Sequence, residues 1–157
     1  MPTVSGKAFE ERFKKDWIKS FPEGTIDRLP DQMSGYREVS RNISDFIGYN
    51  YPLHYYLECK VHKGASVPFA NITQYDKMLQ KVGIKGVRVG IVLFLSEKDK
   101  IFYIPISTIK KMKEDGKKSV GIRSVEEGYN IIEIPSKKLR IFLESDYSVL
   151  ANLNEGE

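Results

Sequence analysis

An apolar run of nine residues, Val87–Leu95, limits the fold of this chain more than any other segment. It reads VRVGIVLFL, a composition typical of a strand in the middle of a sheet that is covered on both faces. Ile101–Ile104 follows after a short charged turn and should pair with it as a neighbouring strand. Helices must then cover the sheet, so the run predicts an α/β domain with a mixed sheet flanked by helices. The chain of 157 residues has the size of a single domain.

The remaining predicted elements alternate between helices and strands. Ser5 should cap a helix that runs to about Ser20, in which Phe9, Phe13 and Trp17 form one apolar stripe. The other predicted elements are strands at Thr25–Leu29, Ser44–Tyr49, His54–Val61 and Asn130–Ile134, helices at Ala70–Val82 and Lys137–Leu143, and a basic helix capped by Ser107 or Thr108.

The composition excludes several kinds of functional site. One cysteine and two histidines exclude an internal disulfide and a multi-cysteine zinc site, and they leave little for a histidine-based centre. No apolar run approaches the roughly 18 residues of a membrane span, and the first residues lack the apolar region of a secretory signal. We therefore expect a cytoplasmic protein with no membrane segment and no organic cofactor, whose chemistry relies on carboxylates and lysines.

Charge is unevenly distributed along the chain, which has a formal net charge of +4. The segment 107–123 contains six basic and two acidic residues, whereas the segment 144–157 contains four acids and no base. We expect the acidic segment to form a loose C-terminal tail. The basic segment could bind the phosphate backbone of nucleic acid, and a solvated lysine-rich helix is an equally good interpretation. Its candidate DNA contacts are Lys110, Lys111, Lys117 and Lys118.

The predicted hairpin carries the most informative charged residues. Asp45 opens its first strand, and Glu58 and Lys60 lie on its second strand, two residues apart and therefore on one face. Cys59 points to the other face, where a small core residue is expected. Two carboxylates from adjacent strands can bind a hard cation such as Mg²⁺, and a neighbouring lysine can stabilise charge that develops on a phosphate.

A third carboxylate could come from the preceding helix, where Glu10 lies at the edge of the apolar stripe. The alternative interpretation of the hairpin is a surface strand with alternating charges. The neighbouring residues Phe46, Leu57 and Val61 indicate buried strands, however, in which charged groups are costly unless they have a partner or a function.

Several segments are similar, in the same order, to one family of nucleases. They read GKAFEERF, SDFIGY, YYLECKVHKG, SVPF and ITQYDKM, and the similarity continues through YIPISTIKKMKEDGKKSV, EEGYNIIEIP and LRIFL. The chain resembles the PD-(D/E)XK nucleases and, among them, most closely the RecU-type Holliday-junction resolvases and their phage-encoded relatives. The resemblance covers nearly the whole chain, which makes it far more specific than the acidic motif alone.

The resemblance implies a restriction-endonuclease-like fold and a role for each matched residue. Asp45 matches the motif aspartate, Glu58 and Lys60 match the E-x-K pair, Glu10 matches the helix-borne acid, and Gln74 matches a polar glutamine after the hairpin. The three acids would bind Mg²⁺, for which Mn²⁺ could substitute. Such enzymes are homodimers that place paired, symmetrical nicks in four-way DNA junctions during recombination and repair, which implies a bacterial cell or a phage-infected host.

The sequence departs from the family pattern at two places. Ser44 stands where the name of the motif has proline. The segment 29–45 is short where the bacterial enzymes have a projecting stalk, so Arg37 and Arg41 would contact DNA from a reduced version. Lys63, which follows the E-x-K strand, could bind a phosphate or simply belong to a turn.

Two alternative functions are also compatible with the sequence. Another nuclease of the same superfamily would act on duplex or flap DNA, and a comparison of a four-way junction with linear duplex would distinguish it. A recombination accessory that binds branched DNA without catalysis would not need the site residues, all of which are present.

Overall fold

A computed structural model describes residues 5–30 and 42–152 of the chain. Two 3₁₀ turns, Phe69–Asn71 and Tyr147–Asn152, accompany the main elements. In chain order these are α1 (Gly6–Ser20), β1 (Thr25–Arg28), β2 (Phe46–Asn50), β3 (Leu53–His62), β4 (Ser66–Pro68), α2 (Tyr75–Leu79), β5 (Val87–Leu95), β6 (Lys100–Pro105), α3 (Ile106–Glu114), β7 (Ser119–Gly121), α4 (Ile122–Glu126), β8 (Ile132–Glu133), β9 (Ser136–Lys138) and β10 (Leu143–Ser145).

The main sheet of the described residues has the strand order β1-β2-β3-β5-β6-β8. Strands β3 and β5 are parallel, and the other neighbours are antiparallel, so the sheet is mixed as predicted. Strand β5 lies between β3 and β6 and is buried along almost its whole length. The apolar run Val87–Leu95 is therefore a central strand, which confirms the interpretation of its composition.

Helices and turns cover both faces of this sheet. Helix α1 is capped by Ser5, whose side chain accepts a hydrogen bond from the amide of Ala8. Its stripe of Phe9, Phe13 and Trp17 is buried against one face of the sheet, and helices α2 and α3 pack on the other face. Side chains along β3 alternate between the two faces: Tyr55, Leu57 and Cys59 join the α1 side, which confirms the predicted core position of the cysteine.

Three predicted elements differ from the structure. The helix expected at Ala70–Val82 is a 3₁₀ turn followed by the short α2. Helix α3 begins directly after Pro105 and is not capped by the serine or threonine that follow, because proline already fixes the backbone angle at that position. The helix expected at Lys137–Leu143 is instead the hairpin of β9 and β10, in which burial alternates along β10.

The acidic segment 144–157 is not loose in the part that the structure describes. Glu144 belongs to β10, and both Tyr147 and Leu150 are fully buried in the α1-side core. The hydroxyl of Tyr55 donates to the carbonyl oxygen of Leu150 at 2.7 Å. The expectation of a loose tail is therefore wrong for residues 144–152, because their apolar side chains complete the core beneath α1; residues 153–157 lie outside the described residues.

No helix within the described parts of the chain has both the length and the apolar character that a membrane crossing requires.

Gly90 lies in the middle of β5, against the ring of Tyr103 on β6. A Cβ atom at residue 90 would lie 2.5 Å from two ring carbons of Tyr103, whose side chain is completely buried. We expect Gly90→Ala to lower the free energy of unfolding by about 1–3 kcal/mol, because the ring would have to move within a packed core. Urea denaturation measures this.

Gly6→Ala is the matched control for Gly90→Ala, because a Cβ atom at Gly6 meets nothing within 4 Å. It should change the free energy of unfolding by no more than about 0.5 kcal/mol. Equal stability of the two variants would contradict the close packing at Gly90.

Candidate active site

The start of β2 and the middle of β3 bring two of the predicted acids together. Phe46 pairs with Leu57, so Asp45 lies beside the next residues of β3. One carboxylate oxygen of Asp45 accepts a hydrogen bond from the backbone amide of Cys59 at 3.0 Å. This hydrogen bond holds Asp45 next to Glu58, which precedes Cys59 in the chain. The antiparallel register therefore places the carboxylates of Asp45 and Glu58 side by side, although the two residues lie on different strands.

Glu58 is a buried carboxyl group with an unsatisfied oxygen. Its side chain is only 6% exposed, and Oε2 has no hydrogen-bond partner among the described residues. Burial, and secondarily the negative charge of Asp45, raise the pKa of Glu58 to about 7, although the nearby Lys60 ammonium opposes this shift. A buried acid beside another acid, with one oxygen unpartnered, is an arrangement that a bound cation would stabilise.

Lys60 lies two residues after Glu58 on β3 and shares its face of the strand. Its side chain is half-buried, and its positive charge lowers the pKa of Glu58, against the larger effect of burial. The predicted group of Asp45, Glu58 and Lys60 is thus present as a group in the structure.

Glu10 lies near this group and is paired with a cation of its own. Its Oε1 lies 2.5 Å from Nε of Arg28, and the guanidinium of Arg28 lies over the ring of Phe46. Burial raises the pKa of the Cys59 thiol well above its usual value, and the negative charges of Asp45, Glu10 and Glu58 raise it further, so all three acids are close enough to act on this cysteine. In the described parts of the chain, however, no three His, Cys, Asp or Glu side chains form a group that could hold a metal ion.

Arg28 is the residue of this region that the sequence analysis missed. It lies at the end of β1, opposite Phe46. The sequence indicates Arg28 only by its position near the end of the predicted strand Thr25–Leu29, just before a polar segment. The partner of Glu10 could not be predicted from the sequence, because the pair joins residues on α1 and β1.

Gln74 immediately precedes α2 and supports the segment that leads into Asp45. Its Nε2 donates to the backbone carbonyl of Asn42 at 2.8 Å, and its Oε1 is buried with no hydrogen-bond partner among the described residues. The structure therefore places Gln74 as a support for the chain just before the acidic site.

The residues present fit a hard divalent cation. Asp45 and Glu58 offer carboxylate oxygens, the ligand type that Mg²⁺ prefers, and Oε2 of Glu58 has no hydrogen-bond partner among the described residues. Mg²⁺ commonly takes one or two protein carboxylates and keeps several waters, so this pair would be sufficient to hold it. Glu10 would have to exchange its contact with Arg28 to become a third ligand.

The candidate DNA-binding lysines have different surroundings. Lys63 is exposed in the turn after β3, and Lys110 and Lys118 are also exposed. Lys111 lies 3.4 Å from Asp115, and Lys117 lies 2.7 Å from Glu127. Surface ion pairs of this kind are weak, so a phosphate can displace them. Arg37 and Arg41 lie outside the described residues.

The strand order and the helices on both faces define a fold class. The mixed sheet flanked by helices is a restriction-endonuclease-like fold. The fold is similar to the solved structure of Archaeoglobus fulgidus Hjc, a Holliday junction resolvase from an archaeal hyperthermophile. The similarity covers 66% of this chain and 78% of that chain, with 16% sequence identity and a TM-score of 0.50.

In sequence, the chain matches no protein-family model, and no match to a curated protein was found. The structural similarity therefore supports the fold, and the roles of individual residues depend on the geometry described above.

Proposed function

We propose that this protein is a metal-dependent, structure-selective DNA endonuclease of the RecU type that resolves four-way junctions. The observation that carries the proposal is the buried Glu58 carboxylate, which has an unsatisfied oxygen beside Asp45 and shares its strand face with Lys60. The similar archaeal structure is that of a Holliday junction resolvase, which supports the same substrate class. The enzyme would act as a homodimer, because paired nicks need two sites.

The chemistry would be hydrolysis of a phosphodiester bond. Asp45 and Glu58 would hold Mg²⁺, or Mn²⁺ in its place, and the bound ion would polarise the phosphate and lower the pKa of an attacking water. Lys60 would orient this water or neutralise the charge that grows on the phosphate oxygens. Attack by water on phosphorus releases the 3′ oxygen and leaves 5′-phosphate and 3′-hydroxyl ends.

The protein environment would contribute in two further ways. The amide of Cys59 orients Asp45, so this carboxylate does not have to be ordered when the metal binds. Gln74 holds the backbone at Asn42, three residues before Asp45, and would keep the same segment in place. Glu10 would assist as a metal ligand or through Arg28, with which it is paired.

A nicking assay that compares branched and linear DNA tests this function. We expect the protein to cut a four-way junction at symmetrical positions in Mg²⁺ and to leave it intact in EDTA. Linear duplex of the same sequence should be cut at least about tenfold more slowly. Duplex lacks the branch, so it cannot make the branch-specific contacts that would stabilise the transition state on a junction.

Two results would lead to the alternative functions. Equal rates on junction and duplex would indicate a nuclease of repair or restriction type. Binding of the junction without turnover in either Mg²⁺ or Mn²⁺ would indicate a recombination accessory.

A further inference from the structure

The hairpin of β9 and β10 presents apolar side chains to solvent. The amide of Leu139 donates to the carbonyl oxygen of Phe142 at 2.8 Å and closes the turn between the strands, which we call the hairpin tip (residues 139–142). Within the tip, Leu139 is 36% exposed and Ile141 is 55% exposed, and Arg140 between them is exposed as well. The tip therefore exposes apolar side chains to solvent that are not packed in the hydrophobic core.

Contacts on both strands fix the base of this hairpin. On β9, Nζ of Lys138 lies 2.7 Å from Oδ1 of Asp99, in the turn after β5. On β10, Glu144 lies 3.2 Å from Nζ of Lys19 and 3.5 Å from the guanidinium of Arg12, both on α1. These exposed ion pairs are weak, and buried groups hold the hairpin more firmly: Leu143 packs in the α1-side core, and the backbone amide of Ser145 donates to Asp16 at 3.0 Å. The tip is therefore presented at a defined place on the molecule.

The hairpin base lies at the same end of the sheet as the candidate active site. Strands β3 and β5 are parallel, with Lys60 opposite Leu93 and His62 opposite Leu95. The turn after β5, which contains Asp99, therefore lies at the end of the sheet at which β3 ends with His62. Strand β5 is the direct neighbour of β3, so one strand spacing of about 5 Å separates β3 from the strand that leads to Asp99. Leu143 of the hairpin packs in the α1-side core, whereas Glu58 and Lys60 lie on the other face of β3, so the hairpin and the acidic pair share an end of the sheet but not a face.

The chemistry of the hairpin fits DNA with exposed base faces. Residues 136–142 read SKKLRIF, with three basic residues and no acid. Basic side chains attract the phosphate backbone, and exposed apolar side chains can insert between base pairs that are partly unstacked. Two copies of this tip would repel each other through Lys137 and Arg140, which disfavours a second copy of the chain as its occupant.

We propose that the hairpin tip binds the branch point of a DNA junction, with Leu139 and Ile141 against exposed base faces and with Lys137 and Arg140 on the flanking phosphates. The inference rests on the proposed function, to which it adds a second contact with the same substrate. It assigns selectivity for branched DNA to the apolar side chains of the tip and general affinity for DNA to its cations.

The test uses the full chain and measures binding in EDTA, so that no cleavage occurs. The double variant Leu139→Ser and Ile141→Ser should bind a four-way junction about tenfold more weakly and linear duplex within twofold of the parent. The matched control is Ile84→Ser, since Ile84 is 47% exposed in the turn that leads into β5, at the other end of the sheet. Arg140→Gln should weaken binding to both DNAs and reduce the salt slope by about one.

Each other outcome has a definite consequence. Junction affinity within twofold of the parent, in a double variant that still nicks the junction, would overturn the hairpin assignment and leave the proposed function intact. Equal weakening on junction and duplex would overturn the branch-point role, and a change in sedimentation would show that the tip joins two copies instead. If the parent protein neither binds nor nicks branched DNA, the proposed function fails, and the hairpin assignment fails with it.

Discussion

Replacement of Asp45 by asparagine should reduce Mg²⁺-dependent nicking of a four-way junction by about 100-fold or more. Asparagine keeps the size of the side chain and can still accept the hydrogen bond from the Cys59 amide, which is 3.0 Å from the carboxylate. The change therefore removes the negative charge that a divalent cation needs while the local fold is retained. Single-turnover rates at saturating enzyme measure the effect on the chemical step.

Junction binding should survive this substitution, because phosphate contacts elsewhere supply most of the affinity for DNA. We expect a Kd within about threefold of the parent when binding is measured in EDTA. Asp76→Asn is the matched control: Asp76 is exposed on α2 and undergoes the same change in charge outside the acidic pair. Parent-like nicking by Asp45→Asn would exclude Asp45 as a metal ligand.

Replacement of Glu58 by glutamine should stabilise the metal-free protein at pH 8 by about 3 kcal/mol. Burial, with a smaller contribution from Asp45, raises the pKa of Glu58 from 4.5 to about 7. Between these values the native state binds a proton that the unfolded state has lost, so the free energy of unfolding falls as the pH rises. Above pH 7 the whole penalty is present, and below pH 4.5 it is absent because both states are protonated. Glutamine is neutral throughout and does not carry this penalty.

Urea denaturation in EDTA at pH 8 and pH 4.5 tests the prediction. The stabilisation by Glu58→Gln should be large at the higher pH and nearly absent at the lower pH. Glu126→Gln, an exposed change on α4, is the control and should have little effect at either pH. Added Mg²⁺ should stabilise the parent more than the Glu58 variant, because only the parent retains both carboxylates. A loss of stability at pH 8 in the Glu58 variant would contradict the electrostatic cost assigned to this residue.

Periodicity explains which parts of the fold could be predicted. The apolar stripe of α1 and the run in β5 are patterns within one element, and each becomes buried as its spacing requires. The same holds for β3, where the period of two places Glu58 and Lys60 on one face and Cys59 on the other. The pairing of Asp45 with Glu58 followed from the expectation of a hairpin.

Contacts between distant segments explain what could not be predicted. Tyr147 is buried against Phe13 and Trp17, which lie on a helix more than 120 residues earlier in the chain. Its acidic neighbours predict a loose tail, because no local pattern indicates this distant contact. Arg28 on β1 forms an ion pair with Glu10 on α1, and no pattern within either element predicts this contact. The sequence predicts a helix where the β9–β10 hairpin lies, because a segment this short contains too few repeats to distinguish the two periods.

The hydrogen bond between Tyr55 and Leu150 has a consequence for the order of assembly during synthesis. Helix α1 leaves the ribosome first among the described elements, yet its apolar stripe is sealed by Tyr147 and Leu150, which emerge after all of the strands. Native contacts of such large sequence separation form late and slow the folding reaction. A nascent chain can therefore carry Asp45, Glu58 and Lys60 and still lack a closed core until residues 147–150 have left the ribosome.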